Sequence, residues 1–110
     1  MNPRALRLRP QAAADIAHLA DACAATAAGD GLRFIDAVDA VCARLAASPE
    51  IGVDRHRHVV PELPVALRTL HVPGFPHVLL CHMALPDAVE VIRVIDTTRG
   101  METLAEDIAA

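Results

Sequence analysis

The chain has 110 residues with a formal net charge of −4, and 54% of its residues are hydrophobic although only 2% are aromatic. This length fits a single domain over residues 1–110, and the hydrophobic fraction excludes a disordered chain. All 10 basic residues are arginine, and they form no basic block. The composition therefore argues against a protein that binds nucleic-acid backbones on its own.

Several features of the sequence predict a cytoplasmic protein without membrane contact. The apolar runs are far shorter than the ~20 residues of a membrane-spanning helix. The first residues, 1–4, contain no apolar core of the signal-peptide kind. Cys23, Cys42 and Cys81 show no CxxC spacing, so we expect free thiols in a reducing compartment.

The first half of the chain predicts a strand and then two helices. Residues 5–9 alternate apolar and basic side chains as a strand does, and Pro10 suits the first turn of a helix. Apolar residues recur at helical spacing over residues 11–27 and again over residues 32–47. Asp30 is predicted to cap the second helix. The apolar stripe of that helix is predicted to comprise Phe34, Ile35, Val38, Val41, Cys42 and Leu45.

The second half of the chain predicts an irregular loop and three strands. The loop covers residues 50–64, and the strands cover residues 66–72, 77–84 and 88–96. Their short connections favour an antiparallel meander, and a short helix is expected from about Met101.

These elements predict an α+β fold in which an N-terminal strand and an α-helical hairpin precede an antiparallel β-meander. The hairpin is expected to cover one face of the sheet and to leave the other face less covered. No metal site is expected, because the six histidines and three cysteines match no structural zinc spacing. The basic residues 55–58 are interpreted as a solvated loop, with contact to a target or nucleic acid as the alternative.

The order of the elements is accompanied by short motifs at their junctions and on their apolar faces. These motifs are Leu8-Arg9-Pro10-Gln11-Ala12, Ala14-Asp15-Ile16, Phe34-Ile35-Asp36-Ala37-Val38, Leu45-Ala46-Ala47-Ser48-Pro49-Glu50-Ile51-Gly52, Leu67-Arg68-Thr69-Leu70, Val78-Leu79-Leu80 and Val91-Ile92-Arg93-Val94-Ile95. Together they resemble the RelE/ParE superfamily of toxins from type II toxin–antitoxin systems, from about Leu6 to Leu104. The first strand is expected to lie beside the last, as in that superfamily.

The segment from Ser48 to Gly52 and the Leu67-Arg68 pair look most like the ParE branch. That resemblance implies a toxin that inhibits DNA gyrase, is neutralised in a hetero-oligomer by a ParD-like antitoxin, and has neither catalytic residues nor a cofactor.

The alternatives are a RelE-like ribosome-dependent mRNA endonuclease and an inactive member that only binds an antitoxin. The basic positions of RelE-like toxins correspond to Arg68, Leu70, Val78 and Arg99, and two of these four are aliphatic here. Arginine stays protonated and is a poor base. A nuclease would therefore have to use a histidine on the strands for proton transfer, namely His71, His77 or His82.

Arg68, Arg99 and His77 are the candidates for contact with the target. The two arginines could present a cationic site on the sheet, and His77 stands where the ParE branch often has tyrosine at the start of a strand. The structural alternative is that Arg68 pairs with a carboxylate such as Glu90 while Arg99 caps the C-terminal segment.

The helical hairpin is the candidate antitoxin-binding surface. The resemblance implies an antitoxin segment that is disordered when free and folds as it wraps the toxin. We expect its apolar side chains to lie against Leu19, Phe34 and Val41, and its basic side chains to meet Asp36 and Asp39.

Overall fold

The computed structural model describes residues 4–54 and 62–99, without the side chain of Arg99. The loop residues 55–58 and the helix expected from Met101 lie outside these ranges. The elements are β1 (Ala5–Leu8), α1 (Pro10–Thr26), α2 (Asp30–Ala47), β2 (Arg68–Val72), β3 (Phe75–Ala84), β4 (Ala88–Asp96) and a 3₁₀ turn (Thr97–Arg99). The predicted order of strand, helical hairpin and meander is confirmed, and the fold is α+β.

The four strands form one mixed sheet in the order β1-β4-β3-β2. β2 pairs with β3 and β3 with β4 in antiparallel fashion, whereas β1 runs parallel to β4 from Ala5 opposite Ala88 to Leu8 opposite Val91. The expectation that the first strand lies beside the last is therefore confirmed. A parallel neighbour requires a long crossover connection, and the hairpin and the meander supply it.

Two glycines lie where the turn between the two helices leads into α2. Gly29 precedes α2 with a φ of 83°, a left-handed conformation that favours glycine. Gly31 lies against α1, where an added Cβ would be 2.9 Å from the Ala20 carbonyl oxygen. The prediction that Asp30 caps α2 was wrong: Gly29 is the capping residue, and the Asp30 carboxylate pairs instead with Arg33 at 3.0 Å.

The main core lies between the hairpin and one face of the sheet. Phe34 of α2 meets Phe75 of β3 edge to face, with ring centroids 5.1 Å apart. Buried valines and leucines surround this pair, including Val38, Val41, Leu45, Val78, Leu80 and Val91. Ile35 was expected in this stripe but is exposed, because it lies on the flank of α2 that turns away from the sheet.

The opposite face of the sheet carries a second buried cluster, formed by Leu67, Leu79, Cys81, Met83 and Ile92. Leu63 and Val65, which precede β2, pack against it. This second cluster is smaller than the main core and is covered by the segment before β2 rather than by a described α-helix, so the expectation of a less covered face is not contradicted. No described helix is both long enough and apolar enough to cross a membrane.

An ion pair fastens α1 to β4. The Arg93 guanidinium donates from Nε to Asp15 Oδ2 at 2.6 Å and from Nη2 to Oδ1 at 2.9 Å, and both side chains are 15% exposed. The same Oδ2 accepts the backbone N–H of Val94 at 3.0 Å. β1 pairs only with the first half of β4, so this bond satisfies a backbone donor beyond the end of β1.

Candidate functional site

Arg68 begins β2 and holds the loop that follows α2. It lies opposite His82 of β3, so the two side chains share the sheet face that is packed against the hairpin. Its Nε donates to the carbonyl oxygen of Glu50 at 3.2 Å. The alternative pairing of Arg68 with Glu90 is not formed: β3 lies between their strands, and the Glu90 carboxylate accepts a bond of 2.9 Å from Arg9 Nε.

His82 is completely buried beside Arg68 and contacts the same loop. Its Nε2 lies 3.2 Å from the carbonyl oxygen of Pro49, so this nitrogen carries the hydrogen and donates it. Its Nδ1 is buried without a hydrogen-bond partner among the described residues. The pKa of His82 is lowered to about 4, mainly by burial and to a smaller extent by the Arg68 charge, while the hydrogen bond to the Pro49 carbonyl acts in the opposite direction.

Arg68 and His82 thus bind consecutive carbonyl groups in the loop after α2. Gly52 then turns the chain with a φ of 91°, and Val53 pairs with Thr69 through two backbone hydrogen bonds of 2.9 Å. An open cavity of about 450 Å³ lies at this end of α2, lined by Arg4, Ser48, Pro49, Glu50 and Ile51. The sequence did not predict that His82 binds this loop, because no local pattern in β3 or in the loop indicates a contact between them.

His77 and the turn Thr97–Arg99 lie at the other end of the sheet. The carbonyl of His77, whose side chain is exposed, accepts a hydrogen bond of 3.0 Å from Thr97 Oγ1, which ties the turn Thr97–Arg99 to the start of β3. Arg68 lies opposite His82, five residues or roughly 17 Å further along β3. The structure therefore separates Arg68 from the other two target-contact candidates.

The candidates on the hairpin divide into buried and exposed residues. Phe34 and Val41 are 0% and 1% exposed, so both belong to the core and present no surface to a partner. Leu19 is half-buried against that core, whereas Asp36 and Asp39 are exposed. Phe34 and Val41 are thus unsuitable as direct anchors for an antitoxin.

Two exposed apolar residues of the hairpin were not among the predicted contacts. Leu32 is 71% exposed and Ile35 is 37% exposed, and both lie near the start of α2. Ile35 was predicted to lie in the apolar stripe of α2, and only the observed rotation of the helix identifies it as a surface residue. In the described part of the chain, no three His, Cys, Asp or Glu side chains are placed to hold a metal ion.

The fold and its exposed surfaces define a small two-layer α+β protein of the strand, helical-hairpin and meander type. The sequence model of the family described as "ParE toxin of type II toxin-antitoxin system, parDE" matches residues 6–101. The chain belongs to this family, and its role is that of the toxin that pairs with an antitoxin. No match to the chain was found among curated proteins.

Proposed function

We propose that this toxin arrests growth in the cytoplasm by inhibiting DNA gyrase, and that a ParD-like antitoxin neutralises it. The observation that carries the proposal is the ParE family match over residues 6–101. That range includes both helices and nearly the whole of the four-stranded sheet, so the proposal draws on the entire fold rather than on one motif.

The toxin acts by protein contact and has no catalytic activity of its own. Two of the positions that correspond to basic residues of RelE-like toxins are aliphatic: Val78 is buried in the main core, and Leu70 packs against it. His82, one of the histidines that could transfer protons, is buried with its Nε2 bound to Pro49. General acid–base cleavage of RNA requires a group within reach of the substrate, so buried His82 is unsuitable. His71 and His77 are exposed, and only the two aliphatic positions argue against cleavage by them.

His77 and Arg99 form the preferred candidate surface for contact with the target. His77 lies beside the start of the 3₁₀ turn, because its backbone carbonyl accepts a hydrogen bond from Thr97 Oγ1, and its side chain is exposed. Arg68, the first residue of β2, forms a second candidate surface for the target, at the end of the sheet away from His77. Since its Nε already binds Glu50, a target would meet the remaining guanidinium nitrogens.

The antitoxin binds the exposed residues of the toxin's helical hairpin. Asp36 and Asp39 offer carboxylates to basic side chains, and half-buried Leu19 offers limited apolar surface. Charge pairing of this kind steers association and fixes the register of the complex.

A supercoiling assay with purified toxin and purified gyrase tests the proposal. We expect supercoiling to fall as toxin is added and to recover when the product of the neighbouring reading frame is added. In cells, induced expression should arrest replication and trigger the DNA-damage response. Unaffected gyrase together with codon-specific mRNA cuts in primer extension would establish the RelE-like alternative. Unaffected gyrase and intact mRNA, with antitoxin binding retained, would identify an inactive member.

A further inference from the structure

The loop after α2, residues 48–53, is attached to the sheet by two side chains that lie opposite each other on neighbouring strands. His82 Nε2 donates to the carbonyl oxygen of Pro49, and Arg68 Nε donates to the carbonyl oxygen of Glu50, both at 3.2 Å. Because Pro49 and Glu50 are consecutive residues, the bond from His82 restricts the carbonyl group that Arg68 binds.

The two ends of this loop are fixed in different ways. At the far end, Gly52 approaches β2 so closely that an added Cβ would be 2.7 Å from the Thr69 carbonyl oxygen. At the near end, the backbone bonds of the loop stay within the same stretch of chain, from the Ser48 N–H to Arg44 and from the Ile51 N–H to Ser48. The near end therefore depends on side chains of the sheet for its position.

The guanidinium of Arg68 has no carboxylate partner among residues 4–54 and 62–99. It is half-buried, and the Glu50 carbonyl occupies its Nε. Guanidinium is a planar fork of N–H donors, so its two Nη groups remain for a bidentate contact with one oxyanion. Other arginines of the described chain do pair with carboxylates, namely Arg7, Arg9, Arg33 and Arg93.

His82 is suited to hold this loop because it is fully buried. Its neighbour on β4 is apolar Val91, and the charge that acts on it is that of Arg68. A second positive charge here would repel the guanidinium, whereas a neutral ring that donates from Nε2 fixes the loop without opposing Arg68. Since Nδ1 makes no hydrogen bond within the described part of the chain, the bond to Pro49 is the polar contact that a substitution would remove.

We propose that His82 is a positioning residue for Arg68, and that the Nη groups of Arg68 bind one carboxylate of the protein target. His82 holds Pro49, the adjacent Glu50 carbonyl holds Nε, and the guanidinium is presented in one orientation. Such preorganisation reduces the side-chain entropy that is lost on binding. A carboxylate fits better than a nucleic-acid phosphate, because the chain has a net charge of −4.

The inference rests on the proposed function and adds to it the chemistry of the group bound by Arg68 and a residue that acts from within the core. Biolayer interferometry with purified gyrase tests it. His82→Leu removes the donor and should weaken gyrase binding by about tenfold or more. His82→Gln keeps a donor for the Pro49 carbonyl and should bind nearly as well as the wild type.

Met83→Leu is the matched control for a change in this part of β3. Met83 follows His82 but is buried in the cluster on the opposite face of the sheet, so this variant should bind gyrase like the wild type. All three variants should keep their affinity for the product of the neighbouring reading frame. Circular dichroism should confirm that they are folded, and His82→Met replaces His82→Leu if the leucine variant is not.

A double-mutant cycle tests whether His82 acts through Arg68. Arg68→Lys keeps the charge but loses the planar fork, so it should weaken gyrase binding by about tenfold or more. Adding His82→Leu to Arg68→Lys should then cause little further loss, because residues that act through one another are not additive. Fully additive losses would show that His82 supports binding by another route and would overturn the inference.

The Nε–H group of Arg68 reports its positioning without any target. Two-dimensional NMR of arginine Nε–H groups should find slow exchange of this proton with solvent in the wild type and in His82→Gln. Exchange should be faster in His82→Leu, because the Glu50 carbonyl is no longer held in place. An unchanged exchange rate in a folded His82→Leu variant would contradict the positioning role.

The outcomes separate the inference from the proposed function. If the wild type binds gyrase and both His82→Leu and Arg68→Lys bind it equally well, the inference is wrong and the gyrase proposal stands. If the wild type does not bind gyrase, the gyrase proposal fails and the inference fails with it. If a short DNA duplex alone binds the wild type but not Arg68→Lys, the bound group is a phosphate, and the proposed carboxylate is wrong.

Discussion

Asp15 and Arg93, 78 residues apart in the chain, join the first helix to the last strand through two charge-assisted hydrogen bonds. The Asp15 carboxylate also accepts the N–H of Val94. One side chain thus satisfies a guanidinium and a backbone donor at the edge of the sheet. Removing it leaves both groups with a missing partner in a largely buried site.

Asp15→Ala should lower the free energy of unfolding by about 2–4 kcal/mol, because the largely buried Arg93 guanidinium and the Val94 N–H both lose a charged acceptor. Urea denaturation measures this as a lower midpoint with an unchanged slope. Asp21→Ala on the exposed side of α1 is the control and should change stability by less than about 0.5 kcal/mol. Equal midpoints for the two variants would contradict a stabilising role for Asp15.

His82 should make stability depend on pH. Its pKa is about 4 in the folded chain and about 6.5 in the unfolded one, so the unfolded state binds more protons between these values. The contribution of His82 to the free energy of unfolding is therefore fully present above pH ~6.5. It is lost as the pH falls towards ~4, and the total loss is about 3 kcal/mol. Urea midpoints measured across this range should fall accordingly.

His82→Gln separates this effect from other titrations. An amide can still donate to the Pro49 carbonyl but does not ionise in this range. The variant should lose less stability between pH 7 and pH 4.5 than the wild type. His18→Gln, on the exposed surface of α1, is the matched control and should follow the wild type. A parallel decline in the wild type and His82→Gln would assign the acid sensitivity to other groups.

Gly31→Ala should destabilise the protein although alanine is the better helix former by about 1 kcal/mol. The added Cβ would lie 2.9 Å from the Ala20 carbonyl oxygen and 3.1 Å from the Ala24 Cβ. Relieving this contact requires α1 and α2 to separate, at a cost of about 1–3 kcal/mol. Thermal unfolding should therefore give a lower Tm, and a higher Tm would mean that the two helices can move apart without loss of packing.

Arg99→Ala should abolish growth inhibition while soluble yield and antitoxin affinity stay near those of the wild type, because the proposed target surface is separate from the hairpin. Arg68→Ala is the comparison and removes the bond to Glu50, whose loss costs about 1 kcal/mol or less. Growth curves after induction, with immunoblots for soluble toxin, measure both variants. Loss of toxicity together with loss of soluble Arg99→Ala would instead assign Arg99 a structural role.

Periodicity and turn residues predicted every described α-helix and strand to within a few residues, but not the 3₁₀ turn Thr97–Arg99. They could do so because each helix and strand has an apolar pattern of its own and because glycine and proline mark the ends. The rotation of α2 was less predictable. Ile35 and Phe34 are adjacent apolar residues, and only the packing of α2 against β3 decides that Phe34 is inside and Ile35 outside.

Contacts between distant segments were beyond sequence reasoning. Cys81 pairs with Arg93 but His82 pairs with Val91, so Ile92 forms a bulge directly before the arginine that reaches α1. No local pattern announces a bulge, and none links Asp15 to Arg93 or His82 to Pro49. The candidate target residues were predicted as one group for the same reason, although the sheet register places Arg68 far from His77.

The parallel pairing of β1 with β4 also determines when the nascent chain can close its sheet on the ribosome. β1 is synthesised before the other described elements, yet among residues 4–54 and 62–99 its only strand neighbour is β4. Until β4 has emerged, the backbone of β1 lacks its partner strand and Asp15 lacks both Arg93 and Val94. Such long-range pairing is slow and leaves strand edges exposed meanwhile. A message cut short before the codons of β4 therefore yields fragments in which the sheet cannot close.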